Sequence, residues 1–299
     1  MSERKVFLVG FWPDYEERAF EGVVLGKCTV SIYNPKKELI KKTLERYYPK
    51  PLKKFIYKKN IKKLVEKNAS AIFIFQDSKI LINYLIDEEV NSYVCLLLRN
   101  SIGSKAGLDK SVIALNRKKI PIYSFDKIDC KRFNLIYYNQ FVCMSKYEPS
   151  VERYDFSFVG RDKGRRNFID KLREAILGQG YSMKLLLVTD KKDIISYSEY
   201  LKILKESKCI IDVVQKNQQG ITLRPIEAAM YRKKLLTNNP NVKSLSFFCE
   251  SNILIIDENI TQEKINEFMR GEPQEVPSEL LQEFSAQKTL ERIYISSSS

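Results

Sequence analysis

The 299-residue chain contains no histidine. That absence removes the Ser/His/Asp and Cys/His nucleophilic constellations and the usual zinc ligand sets, and it leaves Asp, Glu, Lys, Tyr or Cys for any general base. The six cysteines, at 28, 95, 130, 143, 209 and 249, form no CxxC pair. Neither a disulfide framework nor a thiolate metal site is indicated, and most of them sit in apolar surroundings where a reduced thiol packs as a small hydrophobe. No apolar run approaches the roughly 20 residues that cross a bilayer. The opening MSERKVFLVGFW has a strand-length apolar run and no small-residue cleavage site, so a cytosolic protein is expected.

With 44% hydrophobic and 29% charged residues, a chain of this length can build two domains, each with its own core. The net charge of +14 is concentrated: from Lys36 to Lys67, twelve Lys and one Arg stand against three Glu, a local net charge of +10. Along the chain, KVFLVGFW reads as a buried strand, DYEERAFEG as a helix start and TVSIYNP as a second strand. Two stretches, KKELIKKTLERYY and KNIKKLVEKN, place apolar residues at helical spacing on either side of PKP. The strand-like runs ASAIFIFQDS, SYVCLLLRNSI and KKIPIYSFDK follow, and this alternation with helices argues for a doubly wound α/β half.

After Pro149 the pattern restarts. YDFSFVGRDKGRR reads as a strand and a basic glycine loop, NFIDKLREAILGQG as an amphipathic helix, and SMKLLLVTD, KCIIDVV, KLLTNN and NILIID as strands separated by helical stretches. The expected architecture is α/β, two Rossmann-like domains facing a cleft, spanning residues 1–149 and 150–299. The final helical stretches close the second domain, and ligands are expected beyond the carboxyl ends of the strands.

Two segments of the second half carry candidate chemistry. The loop Gly160 to Arg166, GRDKGRR, lies between a strand and a helix, where backbone amides and the cations Lys163, Arg165 and Arg166 favour phosphate; the plain alternative is a solvated basic turn. In the other segment, Gln215, Gln218 and Gln219 precede Gly220, which allows close backbone approach, and Thr222, which is placed to cap a helix carrying Arg224 and Glu227. A carboxylate early in that helix can accept both hydroxyls of a ribose, or simply complement the helix dipole.

The stretch IDVVQKNQQGITLRPIEAAMYRKKLLTNN resembles the nucleotide-sugar binding segment of GT-B glycosyltransferases. More narrowly, RN, SFD, YDFSFVGRDKGRR, QGITLRPIEA and KKLLTNN resemble a group of bacterial lipopolysaccharide-core and capsule glycosyltransferases, most clearly from Ser92 to Asp257. Arg232 and Lys233 stand where those enzymes usually have a glycine. The resemblance implies transfer of a sugar from a nucleotide-sugar co-substrate, with no other cofactor. Lys163 and Arg165 or Arg166 would face the phosphates, Gly160 and Gln218 would line the donor site, Gly220 to Arg224 would meet phosphate and sugar, and Glu227 the ribose. Fixed cations at a leaving nucleoside phosphate lower the barrier without a metal. With no DxD triplet and no histidine, no essential divalent ion is expected.

An inverting transfer needs a carboxylate base, for which Asp14 in FWPD and Asp77 in FIFQD are the candidates, Asp14 ranked first; the alternative for either is a helix cap, the more frequent use of an Asp after a strand. Arg99, Asn100 and Asp126 are read as the cleft floor or as a structural network. The basic patch admits solvated lysines, nucleic-acid binding through interleaved tyrosines and Phe55, or attraction to an anionic membrane. Membrane attraction is preferred, with an anionic lipid-linked saccharide as acceptor at the inner face of a bacterial membrane, and no nucleic-acid partner is expected because no recognised fold signature for one is present. The rival readings are a non-catalytic nucleotide-binding α/β protein and a basic nucleic-acid binder.

Overall fold

A computed structural model describes residues 4–11, 14–35, 49–190, 193–215, 220–257 and 259–297. The chain divides into two compact units, Met1–Asn139 with Ala286–Ser299, and Gln140–Ser285. Among the described residues, no helix is long and apolar enough to cross a membrane.

In the first unit the elements run β1 (Lys5–Val9), α1 (Asp14–Phe20), β2 (Thr29–Tyr33), α2 (Lys50–Lys67), β3 (Ile72–Gln76), α3 (Lys79–Asp87), β4 (Tyr93–Leu97), α4 (Leu108–Arg117), β5 (Ile122–Ser124), α5 (Lys127–Phe133) and β6 (Ile136–Tyr137). The sheet order is β2-β1-β3-β4-β5-β6, parallel throughout, with Val6 opposite Ile72 and Leu8 opposite Ile74. Helices cover a parallel sheet on its faces, so its strands read as continuous apolar runs; Ile72, Phe73, Ile74 and Phe75 are all buried. Helix α2 starts at prolines and buries Tyr57, Ile61 and Val65, one residue per turn against the sheet.

The second unit repeats the pattern with β7 (Tyr154–Arg161), α6 (Arg166–Leu177), β8 (Met183–Val188), α7 (Tyr197–Lys205), β9 (Ser207–Asp212), α8 (Arg224–Met230), β10 (Lys234–Thr237), β11 (Ile253–Ile255), α9 (Gln262–Arg270) and α10 (Ser278–Gln282). Its parallel sheet has the order β11-β10-β9-β7-β8. Local signals set the helix starts: Ser196 and Glu199 form a capping box on α7, and Thr261 caps α9. In both units the strand order reverses beside the first strand, between β1 and β3 and between β7 and β9. These are the switch points at which open α/β sheets leave a crevice.

Three differences from the sequence reading stand out. The units divide between 139 and 140, ahead of the boundary read at Pro149. The last helix, α11 (Ala286–Ser296), belongs to the first unit and not to the second: it packs on α1, and the Gln287 side chain satisfies both backbone groups of Val24, at 3.0 Å and 2.6 Å. The short edge strand β6 was not anticipated. The helical reading of KKELIKKTLERYY falls outside the described residues.

Gly10, just after β1, has φ +87°, and a Cβ there would lie 2.3 Å from Leu81 Cδ1 on α3. Gly26 also has a positive φ, +58°, but faces open space. Gly10→Ala should therefore lower stability in urea unfolding by about 1–3 kcal/mol. Gly26→Ala should show only the backbone penalty of about 1 kcal/mol. Equal losses at the two positions would mean that packing against Leu81 does not require the glycine.

Candidate functional site

The switch point of the second unit gathers most of the residues singled out in the sequence. Strand β7 ends in Gly160 and Arg161, and Lys163 and Gly164, both with positive φ, turn the chain into α6. The start of that helix is already occupied by a carboxylate: Asp162 Oδ1 accepts from the amides of Arg165 and Arg166, each at 3.1 Å. The amides that the sequence reading offered to phosphate are thus capped from within the loop. Arg165 donates to the carbonyls of Asp162 (3.1 Å), Arg161 and Val213, binding the loop to the end of β9. Arg166 is exposed and faces Asp170 at 3.7 Å.

Arg224 crosses the same switch point. Its Nη1 pairs with Asp212 at 2.9 Å at the end of β9, and its Nη2 donates to the Val159 carbonyl of β7 at 2.5 Å. The guanidiniums of Arg165 and Arg224 each lie 5.4 Å from the centre of the buried Phe158 ring, within cation–π range. Gly160 leaves room for them, since a Cβ there would sit 2.9 Å from Arg224 Nη2 and 3.5 Å from Arg165 Nη2. Of Lys163, Arg165 and Arg224, Lys163 is the exposed one, although its ammonium is partly enclosed by the loop. Burial and the neighbouring charges of Arg165, Arg161 and Arg224 lower its ammonium below the ordinary lysine range. Cations thus converge at a place where the carboxylates of Asp162 and Asp212 are already engaged within the protein.

Thr222 does not cap α8. Leu223 occupies the cap position without a side-chain bond, and Thr222 Oγ1 donates to Asp212 Oδ2 at 3.0 Å. Gly220 is buried, its carbonyl accepting from Asn239 Nδ2 at 3.2 Å. Gln218 lies outside the described residues.

Glu227 is 1% exposed, deeper than an early helical carboxylate at a loop mouth. Tyr200 donates to its Oε2 at 2.6 Å and Tyr197 to its Oε1 at 2.8 Å, both from α7. Burial raises the Glu227 carboxyl, and the hydrogen bonds from Tyr200 and Tyr197 and the charge of Arg224 oppose that shift. Arg232, where a glycine is usual in the resembling enzymes, adopts φ +53°, so the backbone keeps the glycine-like turn while carrying a side chain. That side chain stacks 4.3 Å from the Tyr147 ring centre at the rim of a 410 Å³ cavity at the other end of α8, floored by Met144, Met230 and Leu281.

In the first unit, Arg99 is buried and pairs with Glu16, at 2.9 Å; Gln76 and Tyr15 also donate to Glu16, at 2.8 Å and 3.2 Å. Burial pushes the Glu16 carboxyl up while Arg99 pulls it down. Asp77 is buried with Asn100 at 3.0 Å and Lys105 at 2.9 Å, so two residues read separately, as base and as cleft floor, form one pair. Asp126 is the cap of α5, accepting from Ile128 N and Asp129 N, which is the structural alternative for an Asp after a strand. Asp14 starts α1, its side chain 53% exposed and paired with Arg18 at 3.2 Å.

Sequence reasoning missed Asp212, Glu16, Tyr197, Tyr200, Asn238 and Asn239. Asp212 had a signal, a carboxylate inside the apolar run CIIDVV. Asn238 pairs with both backbone groups of Val214, at 2.7 Å and 3.2 Å, extending β9 by one side chain. Nothing in spacing separates Glu16 from its acidic neighbours or marks the two tyrosines.

Two outcomes follow for this site. Asp212→Ala leaves the Arg224 guanidinium buried without its carboxylate and should destabilise the chain by about 3–5 kcal/mol, and Asp212→Ala with Arg224→Met should recover a large part of the loss. Because the folded state binds the Glu227 proton more tightly than the unfolded chain does, that contribution to stability is complete below the ordinary glutamate range and is lost as pH rises through the raised value. The melting temperature of Glu227→Gln, relative to that of the parent, should therefore rise as pH is raised above the ordinary glutamate pKa of about 4.3. A fall would show the carboxylate to be net stabilised by its tyrosines.

No protein-family model and no curated protein matches the chain. Among solved structures it is similar to UDP-GlcNAc 2-epimerase from Methanocaldococcus jannaschii, with a TM-score of 0.55 at 11% identity over 99% of each chain. The same epimerase in complex with UDP-GlcNAc and UDP gives 0.54 at 10%, again over 99% of each chain. AviGT4, a glycosyltransferase involved in avilamycin A biosynthesis, gives 0.49 at 9%, over 98% of this chain and 96% of its own. The fold is GT-B-like: two α/β Rossmann-like domains, each on a parallel sheet.

Proposed function

We propose that the chain is a glycosyltransferase that moves a sugar from a nucleotide-sugar donor to an anionic lipid-linked saccharide, in the synthesis of a bacterial surface polysaccharide such as lipopolysaccharide or capsule. One observation carries the reading: Lys163, Arg165 and Arg224 converge on the β7/β9 switch point of a GT-B-like fold. The similar epimerase has been solved with UDP-GlcNAc and UDP, which supports a nucleotide-sugar as the ligand class. In this reading the chain acts in the cytoplasm, at the inner face of the membrane.

In this reading Arg165 and Arg224 are held rigid by their carbonyl and carboxylate partners and act as fixed positive field, while Lys163 moves onto the diphosphate. As the bond to the sugar breaks, negative charge grows on the leaving phosphate, and cations already oriented stabilise it without reorganisation. This is the role a divalent ion would otherwise fill, so the reaction is read as metal-independent. Glu227 meets the ribose by exchanging the Tyr197 hydroxyl for a ribose hydroxyl. Of the two candidate bases, Asp77 is tied to Asn100 and Lys105, whereas Asp14 is open to solvent, and Asp14 is assigned the acceptor proton.

A second reading has a specific support. The epimerase likeness extends over the whole chain, so epimerisation of a nucleotide-sugar at C2 without any acceptor is the competing activity.

A thermal-shift screen with UDP, GDP, CMP, ADP and TDP, with and without magnesium, tests the site. One nucleotide should stabilise by about 2.7 kcal/mol at 100 times its dissociation constant, equally without metal. Lys163→Ala should keep the fold and lose most of the gain. Because the Lys163 ammonium is lowered, the gain should also fade as pH rises, before ordinary lysines titrate. Absence of any shift would sink both nucleotide-sugar readings, and turnover of UDP-GlcNAc to its C2 epimer without acceptor would replace the transferase.

A further inference from the structure

The described part of the basic run that precedes β3, Lys50–Lys67, is a helix with distinct inner and outward faces. On the inner face of α2, Tyr57, Ile61 and Val65 pack into the core of the first unit. On the flank toward α3, Lys58 pairs with Asp87, and Lys62 with Glu88 at 3.0 Å. The outward face is different. Leu52, Phe55, Lys59 and Lys63 follow one another every three or four residues, so they form one stripe, and Phe55 is 63% and Leu52 41% exposed. Lys59 and Lys63 are exposed and have no carboxylate partner among the described residues.

We propose that this outward face of α2 docks the first unit on an anionic bilayer surface, with Phe55 and Leu52 entering the headgroup boundary and the lysines meeting lipid phosphates. It deepens the proposed function, on which it rests for its purpose, by naming the surface that brings the chain to a lipid-linked acceptor.

Two features of the face select this occupant. Unpaired lysines concentrate positive charge on one side of the helix, which complements an anionic leaflet. A large aromatic and a leucine exposed side by side at the start of the same stripe need an apolar environment, which the acyl boundary supplies. A nucleic-acid backbone would satisfy the lysines and could stack on Phe55, but it offers nothing to Leu52.

The test is co-sedimentation of the full chain with phosphatidylcholine vesicles, with and without phosphatidylglycerol. Binding should be at least about tenfold tighter to the anionic vesicles and should weaken as salt is raised. Lys59→Glu with Lys63→Glu should reduce partitioning about a hundredfold, and Phe55→Ser about tenfold. The nucleotide-induced thermal shift should be unchanged in these variants, so loss of docking and loss of the donor site are read separately. Equal binding to both vesicle types, wild-type partitioning by the variants, or retention on a single-stranded oligonucleotide without vesicle binding would each overturn the proposal.

Discussion

The candidate site in the second unit depends on one buried ion pair, Arg224 with Asp212. Asp212 ends β9 and is fully buried; its second oxygen takes the hydroxyl of Thr222, while the other end of Arg224 reaches the Val159 carbonyl of β7. One guanidinium thereby joins the two strands that flank the switch point to the segment leading into α8. A buried pair of this kind is a weak source of net stability, but removing one partner leaves the other charge buried without compensation. The Arg224 guanidinium leaves no room for a side chain at Gly160, the penultimate residue of β7, where a Cβ would lie 2.9 Å from Arg224 Nη2.

The first unit solves the same geometric problem with different residues. At its own switch point Glu16 accepts from Arg99, Gln76 and Tyr15, so α1, β3 and the end of β4 are tied by one carboxylate. Both units bury a carboxylate and an arginine beyond the carboxyl ends of parallel strands, where loops leave polar backbone groups that must find partners. The contrast lies in what remains available. In the first unit Arg99 is enclosed, whereas in the second Lys163 stays exposed beside two immobilised arginines, and a ligand of opposite charge has somewhere to go.

Much of the fold was legible in the sequence because parallel strands covered on both faces leave long apolar runs, as in FIFQ, CLLL and FSFV. The restart after Pro149 was visible for the same reason. The site was legible only in part. Basic residues after a strand mark a phosphate-friendly loop, and this marks Lys163 and Arg165; that Arg224, read in a separate helical segment, stands beside Arg165 on the Phe158 ring is a feature of the structure. Spacing cannot say which of those cations is free. The structure shows Arg165 held by three carbonyls and Arg224 by Asp212, contacts that range from Asp162, three positions from Arg165, to Val213, 48 positions away.

By itself, then, the sequence determined two parallel α/β units, the place of the basic loop and the charge of the run before β3, because periodicity and local charge are properties of neighbouring residues. Only the tertiary structure decided that Glu227 faces two tyrosines, that Asp77 joins Asn100, that Asp126 is a cap, and that α11 returns to the first unit. Apart from the Asp126 cap, which is local, each of those outcomes is a pairing of buried polar or apolar groups across the chain. Which partner a desolvated group finds is settled by packing, and packing is not written in local order.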